Sequence, residues 1–285
     1  MSDTDSIKDE KIVYNPYNSK NKLVTVQDIE NILKRNGVTL PIKNLSFYQE
    51  AFVHKSYLKG MIEQDNPDKE VIIYSEKELK EQKLVDLQPK SQERLEYLGD
   101  SVAGLIVAKY LYTRFPKQDE GFLTKIKTRL VCSSTFADFA RFVKLYPFII
   151  MSRHAEEVVN GRVNPKILED TFEAFIGAIY NDLGYKSSEI FLINIIHKKI
   201  DFAKLIMEDN NYKDQLMRWF QHNHNGYTPK YYEISRTGKS TNRLFTMGVL
   251  DQDNETVGVG TDKTKKEAEK IAAHRALIEL GVLKN

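Results

Sequence analysis

The stretch SQERLEYLGDSVAGLIVAKYLYTRF, residues 91–115, decides how the rest of the chain is read. Its apolar positions Leu95, Leu98, Val102, Leu105, Ile106 and Tyr110 keep the 3.6-residue period of a helix, and Pro116 ends the run. Ser91 is placed to cap the N-terminus ahead of Glu93. On another face Glu93, Glu96 and Asp100 stand three and four residues apart, so three like charges share one side of a helix that must pack in a core. A second segment repeats the pattern: in KILEDTFEAFIGAIY, residues 166–180, Asp170 and Glu173 are three apart in an otherwise apolar rod. Acids at such spacing ordinarily form a solvated face. Here Gly99 and Gly177 lie beside them, and a helical glycine, which costs about 1 kcal/mol relative to alanine, permits close approach of another backbone. If the two helices meet at these glycines, Glu96, Asp100, Asp170 and Glu173 form an oxygen-only cluster suited to Mg²⁺ or Mn²⁺ and not to zinc. A hard-ion site of that kind implies phosphate chemistry by metal-assisted displacement, with no nucleophilic side chain needed.

Around this pair the pattern stays helical, so an all-α body is expected. A first helix is predicted from Thr25, where Val26, Ile29, Ile32 and Leu33 form one stripe and Gly37 is a stop signal. Further helices are predicted at 121–144, 165–183 and 187–207. Residues 1–24, polar and broken by Pro16, read as a flexible lead-in to a domain spanning 25–207. Within it, residues 61–90 carry eight acids against five bases and read as an insertion, with a short amphipathic helix in KELKEQKLVDL.

The pattern changes after residue 210. YKDQLMRWFQHN is helical, three alternating segments rich in Tyr, Val and Phe follow, and TKKEAEKIAAHRALIELG is helical again, an α-β-β-β-α order over residues 210–285. Lys265, Lys266 and Lys270 open the last helix, where their charge joins the positive end of the macrodipole and suits phosphate. Gly258 and Gly260 precede that helix, Ala272, Ala273 and Ala276 occupy its packing positions, and Trp219 is expected in the core. This segment holds 12 Lys and Arg against 9 Asp and Glu, a net +3, whereas the whole chain is only 42 minus 40, or +2. Binding of a polyanion must therefore use local basic surfaces.

A length of 285 residues fits roughly two domains. With 41% hydrophobic and 29% charged residues, wholesale disorder and a membrane bundle are both excluded. Cys132, the single cysteine, excludes an internal disulfide and a multi-cysteine zinc site. With no long apolar run and a polar, acidic start, an intracellular protein, cytoplasmic or nuclear, without membrane attachment is expected.

At the acidic helices the chain resembles the ribonuclease III family. QERLEYLGDSV (92–102) is close to that family's NERLEFLGDSV, and AFVHKSY (51–57), FPKQDEGFLTKIKTRLV (115–131) and ILEDTFEAFIGAIY (167–180) agree with further family segments in the same order. The C-terminal module resembles a double-stranded RNA-binding domain. The resemblance spans roughly residues 25–283 apart from the 61–90 insertion. It implies an all-α ribonuclease III endonuclease domain followed by a small α+β RNA-binding domain. It also implies that Glu96, Asp100, Asp170 and Glu173 bind Mg²⁺, with Mn²⁺ as a substitute, and that Glu93 and Glu120 are accessory acids. One such domain per chain implies a homodimer that cuts both strands of double-stranded RNA, in processing or degradation, leaving 5′ phosphates and short 3′ overhangs. A non-catalytic RNA-protecting protein and an inactive ribosome-associated homologue are the alternatives, and the intact acid set argues against both.

Other residues carry less definite readings. His54 reads as a structural hydrogen-bonding residue. Lys125 and Lys127, with Arg129, are either solvent-facing charges or contacts to the RNA backbone. In the C-terminal module the family's G-P-x-H loop is replaced by Gly238, Lys239, Ser240 and Thr241, and the Gln-Glu pair of its first helix by Met217 and Arg218. Lys239 and Arg243 are candidates to replace the lost contacts electrostatically.

Overall fold

Thr25 opens α1 (Val26–Arg35) through a reciprocal capping box: its hydroxyl accepts from the Asp28 N–H at 3.2 Å, and the Asp28 carboxylate accepts from the Thr25 N–H at 3.0 Å. The computed structural model describes residues 13–65, 67–207, 212–238 and 243–283, and the chain divides into two units, Met1–Asp201 and Phe202–Asn285. In the first unit α1 is followed by α2 (Leu45–Ala51), α3 (Lys59–Asp65), α4 (Glu76–Gln82), α5 (Glu93–Arg114), α6 (Glu120–Leu130), α7 (Ser133–Phe142), α8 (Arg153–Glu157) and α9 (Pro165–Lys199). A two-residue parallel pair joins β1 (Val13–Tyr14) to β2 (Glu70–Val71). The expected helical body is there. Its spine is the crossing of α5 with α9, set in a core of Phe136, Phe139, Phe172, Phe175 and Phe191, all essentially without solvent contact.

Three helix boundaries differ from the sequence reading. The cap position of α5 is Gln92, not Ser91, and Gln92 is buried with its Oε1 3.2 Å from the Thr171 hydroxyl; the Ser91 hydroxyl instead donates to Glu93 at 2.9 Å. The run 121–144 is two helices, because Cys132 is extended and the Thr135 hydroxyl turns back to the Arg129 carbonyl at 2.8 Å. The helices expected at 165–183 and 187–207 do part at Gly184, whose φ of 80° lies in the left-handed region open to glycine, but the second ends at Lys199 and Phe202–Met207 form a helix of their own.

The lead-in is not loose over its described part. Residues 1–12 lie outside the described residues, but Tyr17 and Val24 are buried, and Asn18 and Asn21 bond across the fold. Asn18 donates to Glu156 at 3.2 Å, and Asn21 donates to the Met151 carbonyl at 2.9 Å and accepts from the Met151 N–H at 3.1 Å. Side-chain bonds to partners some 130 residues away carry no periodic signal, so polarity alone misleads here. The 61–90 insertion is folded too. Ile62, Leu79 and Leu87 pack with Tyr17, Val53, Tyr57 and Ile150 in a satellite core that unites insertion and lead-in.

Glu156 is buried and its carboxylate takes Arg162 Nε at 2.6 Å and Lys20 Nζ at 3.2 Å, the lysine being mostly exposed. Arg162→Met removes the enclosed partner and leaves the charge to Lys20 and Asn18. It is expected to destabilise the protein by about 3 kcal/mol in a urea titration, and a loss below about 1 kcal/mol, the scale of a surface pair, would contradict that role for the pair.

The second unit contains α10 (Phe202–Met207), α11 (Tyr212–Asn223), an antiparallel sheet of β3 (Lys230–Thr237), β4 (Leu244–Leu250) and β5 (Thr256–Asp262) in that order, and α12 (Lys265–Glu279). Leu216, Phe220, Val249, Ala272, Ala273, Ala276 and Leu277 form its core, and Trp219 packs partly buried against it, edge-on to Phe220. Gly258 and Gly260 admit the α12 backbone: a Cβ on Gly258 would lie 2.8 Å from Ala276 N, and one on Gly260 2.5 Å from Ala272 N.

Candidate active site

The crossing of α5 and α9 depends on its two glycines. A Cβ on Gly99 would overlap the Glu173 carbonyl oxygen and stand 2.6 Å from its carbon and 2.9 Å from Gly177 N; one on Gly177 would overlap the Leu95 carbonyl. The helices therefore touch backbone to backbone, and the acids beside each glycine are forced together. Glu96, Asp170 and Glu173 each offer a carboxylate oxygen within 4.8 Å of the others. Asp100 is exposed and stands at the wall of an adjoining cleft of about 480 Å³, shared with Glu93, Glu96, Tyr97, Val131, Lys166, Glu169 and Glu173.

Burial dominates the electrostatics. It pushes the Glu173 carboxyl up to about 8, and the charges of Asp100, Glu169 and Glu96 act in the same direction while Lys166 opposes them. Glu96 is raised by burial and then by Asp170, and Asp170 is raised by burial against the opposing pull of Lys166. Lys166 Nζ lies 2.7 Å from Asp170 Oδ1, yet that buried oxygen receives no aligned hydrogen bond, so the contact is ionic. A cluster of acidic oxygens that burial has made reluctant to ionise, neutralised in contact only by an exposed lysine among the described residues, fits a hard divalent cation.

The remaining sequence candidates are distributed more widely. Glu93 lines the cleft, held 3.6 Å from Lys55 Nζ. Glu120 is not among the cleft-lining residues: it occupies the first turn of α6 and accepts from the Thr124 hydroxyl at 2.8 Å. Lys125 and Lys127 are half-buried on α6, and Lys127 lines a separate apolar groove with Leu105, Tyr112 and Leu123. His54 accepts from the Ser56 N–H at 3.2 Å and caps a short 3₁₀ turn, the structural role expected of it. In the second unit Lys265 is paired with Glu233 at 2.7 Å and Lys270 with Glu267 at 3.4 Å, while Lys266 is exposed. Arg243 is exposed, and Lys239 lies outside the described residues. The sequence reading passed over Lys166 and Glu169. Their signal was positional, since Lys166 precedes Asp170 by four residues and Glu169 precedes Glu173 by four, which puts each on the face of its partner.

Residues 93–184 match the ribonuclease III domain and residues 212–280 the double-stranded RNA binding motif. A ribonuclease 3 of Sulfurovum sp. (strain NBC37-1) is 38% identical over 255 residues, covering 88% of this chain and 98% of that protein. The chain belongs to the ribonuclease III family. A probable ribonuclease 3 of Acanthamoeba polyphaga mimivirus is 32% identical over 94% of this chain, which spans about half (48%) of that relative's length. The nuclease domain of a Campylobacter jejuni ribonuclease III, at 30% identity and a TM-score of 0.47, covers 62% of this chain and 99% of that domain. This ribonuclease III thus has the expected order, a helical nuclease domain and then an α+β double-stranded RNA-binding module. Among the described residues no helix is long and apolar enough to cross a membrane.

Proposed function

We propose that this ribonuclease III cuts both strands of duplex RNA by divalent-metal-assisted phosphodiester hydrolysis, leaving 5′ phosphates and short 3′ overhangs, in RNA processing or degradation. The observation that carries the proposal is the convergence of Glu96, Asp170 and Glu173 within 4.8 Å. These three, with Asp100 at the cleft wall, would hold Mg²⁺ or Mn²⁺. Such an ion, when bound, acidifies water into a nucleophile and neutralises charge on the departing oxygen. The chain's own residues supply placement. Gly99 and Gly177 fix the distance between the two carboxylate-bearing helices, Glu173 is buried beneath the half-buried Glu96 and Asp170, and Lys55 lies beside Glu93 at the rim.

A homodimer is supported by the exposed apolar stripe Tyr97, Leu105 and Tyr112, which runs along α5 at helical spacing and starts at the acid cleft itself. A second copy covering that stripe would set two acid clefts in one particle, one for each RNA strand. The RNA-binding module contributes affinity through Lys266 and through Lys265 and Lys270 once these exchange their acidic partners for phosphates, with Arg243 and Lys239 adding charge.

The test is incubation of the purified chain with a long perfect RNA duplex, with Mg²⁺ and with chelator. Short duplexes bearing 5′ phosphates and 3′ overhangs are expected only with the ion. Cutting that persists in chelator, or retention of duplex without cutting in Mg²⁺, would refute the proposal, and the second result would favour a passive binder.

A further inference from the structure

We propose that Lys166 is a resident counter-ion of the acid triad, and that a divalent cation reaches the triad only by displacing it. This rests on the metal reading above and concerns what occupies the cluster before the ion arrives. Lys166 lies in the first turn of α9, with its ammonium 2.7 Å from Asp170 Oδ1 and 3.3 Å from Glu169 Oε2. Asp170 Oδ1 is a buried oxygen that no aligned donor satisfies, and the Lys166 ammonium is the positive charge in contact with it.

Two features make this lysine replaceable. One ammonium faces the carboxylates of Glu96, Glu169, Asp170 and Glu173, so the cluster is only partly neutralised and retains appetite for a cation of higher charge. The Lys166 side chain is also 66% exposed, unlike the enclosed Arg162 at 13%, so it can swing into water without opening the core. A divalent ion taking Asp170 Oδ1 would otherwise stand against an ammonium already in contact with the same atom. Lys166 is a positioning residue in this scheme. It holds the acids together in the resting enzyme and sets the free cation concentration at which the site fills.

The experiment titrates Mg²⁺ alone, without RNA, into the full chain and into Lys166→Met, reading heat of binding and melting temperature. The variant is expected to bind Mg²⁺ about fivefold more tightly, the scale on which a half-exposed ion pair shifts an equilibrium. Its metal-free melting temperature should fall, so that saturating Mg²⁺ raises it by more than in the parent. Lys166→Arg, which keeps the charge, should track the parent, and Lys166→Gln should repeat the effect of Met. Mg²⁺ binding that is unchanged or weaker in both neutral variants, with the parent binding normally, overturns the inference alone. Failure of the parent to take up Mg²⁺ overturns it together with the metal reading.

Discussion

Glu173→Gln is expected to remove cleavage of duplex RNA and, in the metal-free protein, to raise the melting temperature. The two effects have one origin. Glu173 is 6% exposed, and burial with its acidic neighbours pushes its carboxyl up to about 8. Its unfolded counterpart titrates near 4.5, so across the interval between those values the folded chain holds the proton that the unfolded chain has released. Folding stability therefore falls as pH rises through that interval, by up to a few kcal/mol. Glutamine carries no such charge and removes the Glu173 share of the slope, leaving the smaller share of Glu96 and Asp170. Near pH 8 without metal, Glu173→Gln should melt about 5 °C above the parent. Added Mg²⁺ should raise the parent and leave the variant almost unmoved. Cleavage should fall by at least about 10³-fold, the scale of several kcal/mol of lost charge stabilisation, while retention of duplex RNA in a gel-shift assay stays near the parent's. A variant that cuts at the parental rate would remove Glu173 from the metal site.

Gly99→Ala and Gly177→Ala are expected to break the site by breaking the fold. Alanine ordinarily strengthens a helix by about 1 kcal/mol over glycine. Here the added methyl meets backbone atoms of the facing helix, the Glu173 carbonyl in one case and the Leu95 carbonyl in the other, and neither can rotate away. A net cost of about 3 kcal/mol follows, or a fall of about 6–12 °C in melting temperature, with loss of cleavage because the acid-bearing turns are wedged apart. Gly104→Ala is the control on the same helix. Its methyl would approach only the end of the Lys127 side chain at 3.9 Å, so the melting temperature should hold or rise. Equal behaviour of Gly99→Ala and Gly104→Ala would show that backbone contact does not set the crossing.

Much of this was readable before any coordinates. The three-and-four spacing of Glu96 and Asp100, and the three-residue spacing of Asp170 and Glu173, put carboxylates on helix faces, and glycines beside them marked where the faces meet. The alanines of α12 were legible as packing positions, while the close approach of that helix at Gly258 and Gly260 of β5 came from the structure. Less legible were features whose partners are distant in sequence. Asn18 and Asn21 look like loop residues until Met151 and Glu156 come to meet them. Gly184 does end a helix, as its place after residue 183 suggests, but nothing periodic announces that the helix beyond it stops at Lys199. Lys265 reads as a free phosphate clamp, while the fold sets Glu233 beside it. Periodicity reports which side of a rod is greasy; it does not report which charge on another element will be waiting.

The satellite core joining residues 13–24 to residues 61–90 has a consequence for how this enzyme can be trimmed or can diverge. Tyr17 comes from one segment, Ile62, Leu79 and Leu87 from the other, and both rest on Tyr57 and Ile150 of the nuclease body. Neither segment is an independent ornament. Excising one strips the greasy lid from the other and wets an aromatic floor, so a shortened lineage would have to lose the two as a unit and repaint the floor with polar residues.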